Sequence, residues 1–148
     1  MKEYIINAKK YRLNIFNKLD KNSAYLIGYL AGDGIYNQPT HKRLARMGVS
    51  SNNKSVIDWV KVNFTPDSTI DQRLPINKTR KIVSTNISYK ITMSSKFSEA
   101  FKKYGILSLK KDRVCVGISK KLFRNYLKGL IDSDGYFASG YRLDRNRA

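Results

Sequence analysis

The stretch Tyr25-Leu-Ile-Gly-Tyr-Leu-Ala-Gly-Asp33-Gly34 decides the reading of this chain, because it recurs as Tyr126-Leu-Lys-Gly-Leu-Ile-Asp-Ser-Asp134-Gly135. The copies align without a gap at an offset of 101 residues: Tyr25 on Tyr126, Leu26 on Leu127, Gly28 on Gly129, Leu30 on Ile131, Asp33 on Asp134, Gly34 on Gly135. Each reads as a helix ending at its Asp-Gly. Ser23 and Ser119 are the expected N-caps, and Gly34 and Gly135 the residues able to turn left-handed after the last turn. Gly28 and Gly32 lie four apart and share a helix face, as do Gly129 and Ser133. Small residues on these faces let two helices approach closely. Side by side, such helices bring their acids together. The macrodipole disfavours an acid at a helix C-terminus, and two carboxylates repel unless a proton or metal lies between them. The placement is poor for stability and apt for a divalent cation. A pair of core helices with incidental acids would explain one copy; an acid kept in both copies favours the cation. A calcium loop at Asp132-Ser-Asp134-Gly135 fails, since its first and twelfth positions would be Leu130 and Tyr141.

Charge points to the partner. The 148 residues, enough for one well-cored domain, carry 29 Lys and Arg against 11 Asp and Glu, formally +18, spread along the whole length. A polyanion is the natural partner, nucleic acid before a membrane surface. The longest apolar run, Ala24 to Ala31, is too short to span a bilayer, and there is no hydrophobic signal core. An intracellular setting is expected, in a bacterium, a phage-infected cell or an organelle. Cys115, between Val114 and Val116, reads as a small buried hydrophobe. His41 has no Cys or His companions for a zinc site.

Along the chain, Tyr4, Ala8, Tyr11, Ile15 and Leu19 show helical spacing, so residues 1–22 read as a basic helical extension. Ile35 to Gln38 and Leu44 to Ser51 suggest a hairpin, followed by a helix with Val56, Ile57, Val60 and Phe64 on one side and a Ser55/Asp58 capping box. A short strand spans Thr69 to Leu74, then a basic loop from Pro75 to Lys81. From Val83 to Ser94 apolar and polar residues alternate, with Val83, Thr85, Ile87, Tyr89, Ile91 and Met93 expected to face the core. Ser95 opens a further helix that stops at Gly105. The order predicts an α+β unit with helices on one face of an antiparallel sheet. The sheet's other face is either solvated or laid on DNA, and both readings fit the alternation. The candidate DNA contacts are Arg43, Arg46, Ser50, Arg73, Lys78, Arg80, Ser84, Asn86, Ser88 and Lys90.

The paired stretches resemble the LAGLIDADG homing endonucleases, whose name spells this motif, from about Ser23 to Phe137. The resemblance implies an αββαββα unit with a saddle-shaped antiparallel sheet on the DNA major groove, plus the second motif helix. Residues 23–118 would be the first repeat, and 119–148 the second motif helix with a truncated start of its repeat. It implies that Asp33 and Asp134 hold catalytic Mg²⁺ or another divalent cation between two scissile phosphates, and that Lys90 is a lysine near the metals. Gly28, Gly32, Gly129 and Ser133 would form the helix interface. It departs at Gly48, where several members carry a polar residue, often Gln, that orients the attacking water, and at Ala31, where the first motif loses its first acid; Asp132 keeps that acid in the second. Only 13 residues, Tyr136 to Ala148, follow the second motif, so a second chain or a missing C-terminal half is expected to complete the second sheet. The expected function is site-specific, metal-dependent hydrolysis of double-stranded DNA by a mobile-element (intron or intein) enzyme. The alternatives are a non-cleaving DNA-binding regulator or adaptor, or a maturase-like RNA-binding protein.

Overall fold

The computed structural model describes residues 3–12, 18–37, 40–41, 46–74, 76–77, 82–83, 87–106 and 112–134. These form an α+β arrangement in chain order: strands β1 (Glu3–Ile6) and β2 (Lys9–Arg12), helix α1 (Lys21–Asp33), strands β3 (Gly34–Asn37) and β4 (Arg46–Ser51), and helix α2 (Lys54–Phe64). Strands β5 (Ile70–Arg73), β6 (Ile76–Asn77), β7 (Ile82–Val83) and β8 (Ser88–Met93) follow, then a 3-10 turn (Ser95–Phe97), α3 (Ser98–Lys102) and α4 (Phe123–Asp134).

The main sheet is antiparallel throughout, in the order β3-β4-β8-β5. Its register puts Tyr36, Met47 and Met93 in one row and Val49, Ile91 and Ile70 in another, on the face that packs against Leu26, Ile27, Leu30, Ile57, Val60 and Phe64. The alternation through Tyr89, Ile91 and Met93 therefore faces as expected. The long strand expected from Val83 is shorter: Ile82–Val83 pairs instead with Ile76–Asn77 in a separate two-stranded ladder, which also occupies part of the expected Pro75–Lys81 loop.

Residues 3–12 are a hairpin, not the expected helix. Asn7 and Ala8 both have positive φ, 51° and 60°, the backbone that a two-residue hairpin turn requires and that Asn tolerates. Tyr4 and Tyr11 face each other across the hairpin, and both meet the Phe97 ring edge-on, at 6.1 and 5.0 Å. That contact overrides the helical spacing of the same residues.

Helix caps also differ. Asp20, not Ser23, caps α1, its carboxylate accepting from the Ser23 amide at 2.7 Å. Asn53, not Ser55, caps α2, and Asp58 pairs with Lys54 instead. Ser119 precedes a turn, and α4 begins only at Phe123. Gly34 is extended (φ −63°, ψ 138°), so α1 runs straight into β3 without a left-handed residue. Gly105 does take positive φ, at 83°, and ends the α3 region as expected.

The two motif helices pack directly on each other. A Cβ on Gly28 would stand inside the Tyr126 carbonyl and 3.0 Å from the Leu130 amide nitrogen; one on Gly129 would stand inside the Tyr25 carbonyl and 2.8 Å from the Tyr29 nitrogen. These contacts are reciprocal under the 101-residue offset, so the helix pair has a local two-fold. Their surroundings differ. Leu26 and Leu30 of α1 are fully buried, while Leu127, at the position equivalent to Leu26, is 36% exposed and Phe123 is 45% exposed. Among the described residues no sheet covers that face of α4. Cys115 is exposed, with Val114 and Val116, not buried as expected, because residues 112–119 run irregularly over the surface.

Candidate functional site

The close helix pair places the C-terminal ends of α1 and α4 side by side. A cavity of about 480 Å³ lies there, lined by Asp33, Asp132 and Ser133 from the helix ends and by Ser50, Ser51, Asn52 and Asn53 from the end of β4, with Tyr29 beneath. Asp33 is the last residue of α1 and Asp134 the last of α4; the Asp134 side chain lies outside the described residues. The Ser133 hydroxyl donates to the Leu130 carbonyl at 2.8 Å, and Gly32 is buried. Of the four residues expected at the helix interface, Gly28 and Gly129 make the reciprocal contacts.

Two features of this site were not expected. The first is Arg113, in the connector before α4. Its guanidinium donates to the Leu30 carbonyl at 2.7 Å and the Gly34 carbonyl at 2.8 Å, both at the C-terminal end of α1. α1 has no basic residue in its own last turn, so this fork supplies the cation that the helix end calls for. Burial lowers the Arg113 pKa from its ordinary value, and the charge of Asp33 offsets part of that. Asp33 thus sits at a negative helix end beside a half-buried cation.

The second is Asp132, given little weight in the sequence. Its Oδ2 accepts from the Tyr25 hydroxyl and from Lys128 Nζ, each at 2.9 Å, while Lys128 Nζ lies 5.0 Å from the centre of the Tyr25 ring. Burial would raise the Asp132 carboxyl, but the hydrogen bonds from Lys128 and Tyr25 and the charge of Lys128 outweigh it and hold it below the ordinary carboxylate value. Burial pushes the Tyr25 phenol far up, and its bond to Asp132 adds to this. Burial likewise raises Tyr29, a Ser51 hydrogen bond pulling the other way and the charges of Asp33 and Asp132 pushing with it. Because the Asp132 pKa is depressed by folding, its stabilising contribution is present above the unfolded carboxylate value and is lost as pH falls through the folded one. Wild type and Asp132→Asn should therefore differ in urea midpoint near neutral pH and converge in strong acid. A difference that persists below that range would show that packing, not charge, sets it.

The outward face of the sheet carries the other candidates. Ser50, Lys90 and Asp71 lie in one cross-strand row, and Arg73 stands opposite Ser88. The Ser50 and Ser88 hydroxyls are hydrogen-bonded at 3.2 Å. Arg46 and Arg73 are exposed. Lys90 neighbours Ser50, which lines the acid cavity, but is not itself among the lining residues. Arg43, Lys78, Arg80, Ser84 and Asn86 lie outside the described residues, or their side chains do. Gly48 is buried in the sheet, where a Cβ would stand inside the Ile91 carbonyl.

The donors around the acid cavity are carboxylate, hydroxyl and amide oxygens, the set preferred by hard cations such as Mg²⁺. Among the described residues, no group of three or more His, Cys, Asp or Glu could hold a metal ion. No helix among them is long and apolar enough to cross a membrane. No protein-family model, curated protein or solved structure matches the chain.

Proposed function

We propose that this chain is a site-specific DNA-binding protein of the LAGLIDADG homing-endonuclease type, which hydrolyses DNA phosphodiesters with a divalent metal. The observation that carries this reading is the reciprocal Gly28/Gly129 packing, which sets two acid-ended helices side by side over one oxygen-lined cavity. Asp33 and Asp134 would hold the cation, and a divalent ion supplies Lewis-acid assistance to phosphodiester hydrolysis when bound. Arg113 keeps the Asp33 end of α1 in place. The outward sheet residues, Arg46, Ser50, Arg73, Ser88 and Lys90, would meet the duplex, since Arg, Lys and Ser all hydrogen-bond base edges or phosphates. A second sheet over the exposed face of α4, from another chain or further sequence, would complete the duplex-binding surface.

The non-cleaving alternative is favoured by Gly48, whose tight backbone contact leaves no room for a water-orienting side chain there. One experiment separates the two readings. A plasmid library with random inserts is incubated with the protein, with and without Mg²⁺, and both retained DNA and new ends are sequenced. Metal-dependent ends at a shared sequence are expected, and should vanish in Asp33→Asn and in Asp134→Asn while retention persists. Retention without new ends would make the chain a binding module. Retention should also weaken steeply with salt, because each phosphate neutralised by Lys or Arg releases condensed counterions.

A further inference from the structure

A second cavity, of about 350 Å³, opens between α1, α2 and α4 and shares no lining residue with the acid cavity. That volume falls within the range of small-ligand sites, roughly 300–1,000 Å³. Its walls include Tyr25 and Trp59, whose rings meet edge to face at 4.8 Å and 76°. Both rings are held from behind, Trp59 by Phe64 at 5.2 Å and Tyr25 through its hydroxyl on Asp132. The aromatic corner is therefore already ordered before any ligand arrives, which removes part of the entropic cost of binding. Around it stand Lys21, Asn22, Asn125 and Lys128. Lys21, Asn22 and Asn125 make no side-chain hydrogen bond or ion pair among the described residues.

The composition identifies the ligand by its chemistry. An amide side chain offers a donor and an acceptor side by side, the arrangement that pairs with a base edge. An aromatic wall takes a base face, and an ammonium takes a phosphate. A neutral sugar or peptide would give Lys21 no partner, Lys128 being held already by Asp132. A base inside a duplex is already stacked on both faces, so the wall suits an unpaired one. We infer that this cavity binds one nucleotide of a single-stranded nucleic acid. The base lies against the Tyr25–Trp59 corner, Asn22 and Asn125 read its edge, and Lys21 meets its phosphate. The site lies apart from the sheet face assigned to duplex DNA and does not depend on the nuclease reading.

Trp59 is the chain's single tryptophan and lines this cavity, so its fluorescence, excited selectively over tyrosine, is a probe of the cavity wall. The full chain is titrated with hexathymidylate, with hexauridylate and with an abasic hexamer of equal phosphate count. A saturable fluorescence change with either base-bearing strand and none with the abasic strand is expected; the stronger of the two tells whether the 2′-hydroxyl is read. Asn125→Ala and Lys21→Ala, checked for intact helicity, should each weaken that binding roughly 2- to 10-fold, the worth of one hydrogen bond. Asp33→Asn should leave it unchanged, which separates this site from the acid cavity. An equal response to the abasic strand, full competition by an equal concentration of duplex, or unaltered affinity in both cavity variants would overturn the assignment.

Discussion

Gly28→Ala is expected to destabilise the fold by about 2–3 kcal/mol, although alanine is the better helix former by about 1 kcal/mol. The added Cβ meets backbone, the Tyr126 carbonyl carbon at 2.8 Å and the Leu130 nitrogen at 3.0 Å. No flexible side chain can swing aside, so α1 and α4 must separate, and the apolar contacts along both helices loosen together. Gly129→Ala should cost a similar amount, since its Cβ meets Tyr25 and Tyr29 backbone in the same way. The double variant should lose less than the sum of the two, because one widening of the helix pair relieves both clashes. Urea midpoints of the four proteins measure this. Additive losses would show that each clash is relieved locally, and would remove the argument that the acid ends are set by a single rigid helix pair.

Arg113→Ala is expected to cost about 2–4 kcal/mol. Two hydrogen bonds from a charged donor are lost, each worth about 1.5–3 kcal/mol, with part of the loss restored by water at this half-buried site. Arg113→Lys should recover less than half, because an ammonium cannot span the Leu30 and Gly34 carbonyls as the planar fork does. Thermal unfolding of the three proteins measures the stability. If the chain cleaves DNA as proposed, a second readout separates stability from the site: at a temperature where the variant is fully folded, Arg113→Ala should need more Mg²⁺ for half-maximal rate. Unchanged Mg²⁺ dependence would confine Arg113 to holding the chain together.

The helix contact was legible because it rests on local spacing. Glycines placed alike in two copies predict a close parallel pair, and no tertiary detail is needed to see it. The core face of β8 was legible for a similar reason, since alternation through Tyr89, Ile91 and Met93 has only one way to bury. Arg113 was not, because its partners, Leu30 and Gly34, lie 83 and 79 residues away in sequence and nothing local marks a carbonyl awaiting a donor. The hairpin at Glu3–Arg12 was misread because Tyr4, Ala8 and Tyr11 fit helical spacing; the informative residue was Asn7, able to hold positive φ in a two-residue turn. Cys115 looked buried between two valines, but an irregular surface segment leaves all three exposed. The surroundings of Asp132 were not legible from motif position: its depressed carboxyl comes from Lys128 and from Tyr25, 107 residues away.

The contact between Gly28 and Tyr126 also has a consequence during synthesis. Among the buried residues of α1 are Leu26, Ile27, Tyr29 and Leu30, yet part of the surface that covers this helix is translated about a hundred residues later. At ribosomal rates of roughly 5–20 residues per second, that interval is on the order of 5–20 s. For that time α1 is an apolar segment without its partner helix, a natural client for ribosome-associated chaperones. Nascent chains in which α1 has emerged while Phe123–Asp134 is still inside the ribosome should accordingly stay chaperone-bound, and chains whose α4 has cleared the exit tunnel should be released.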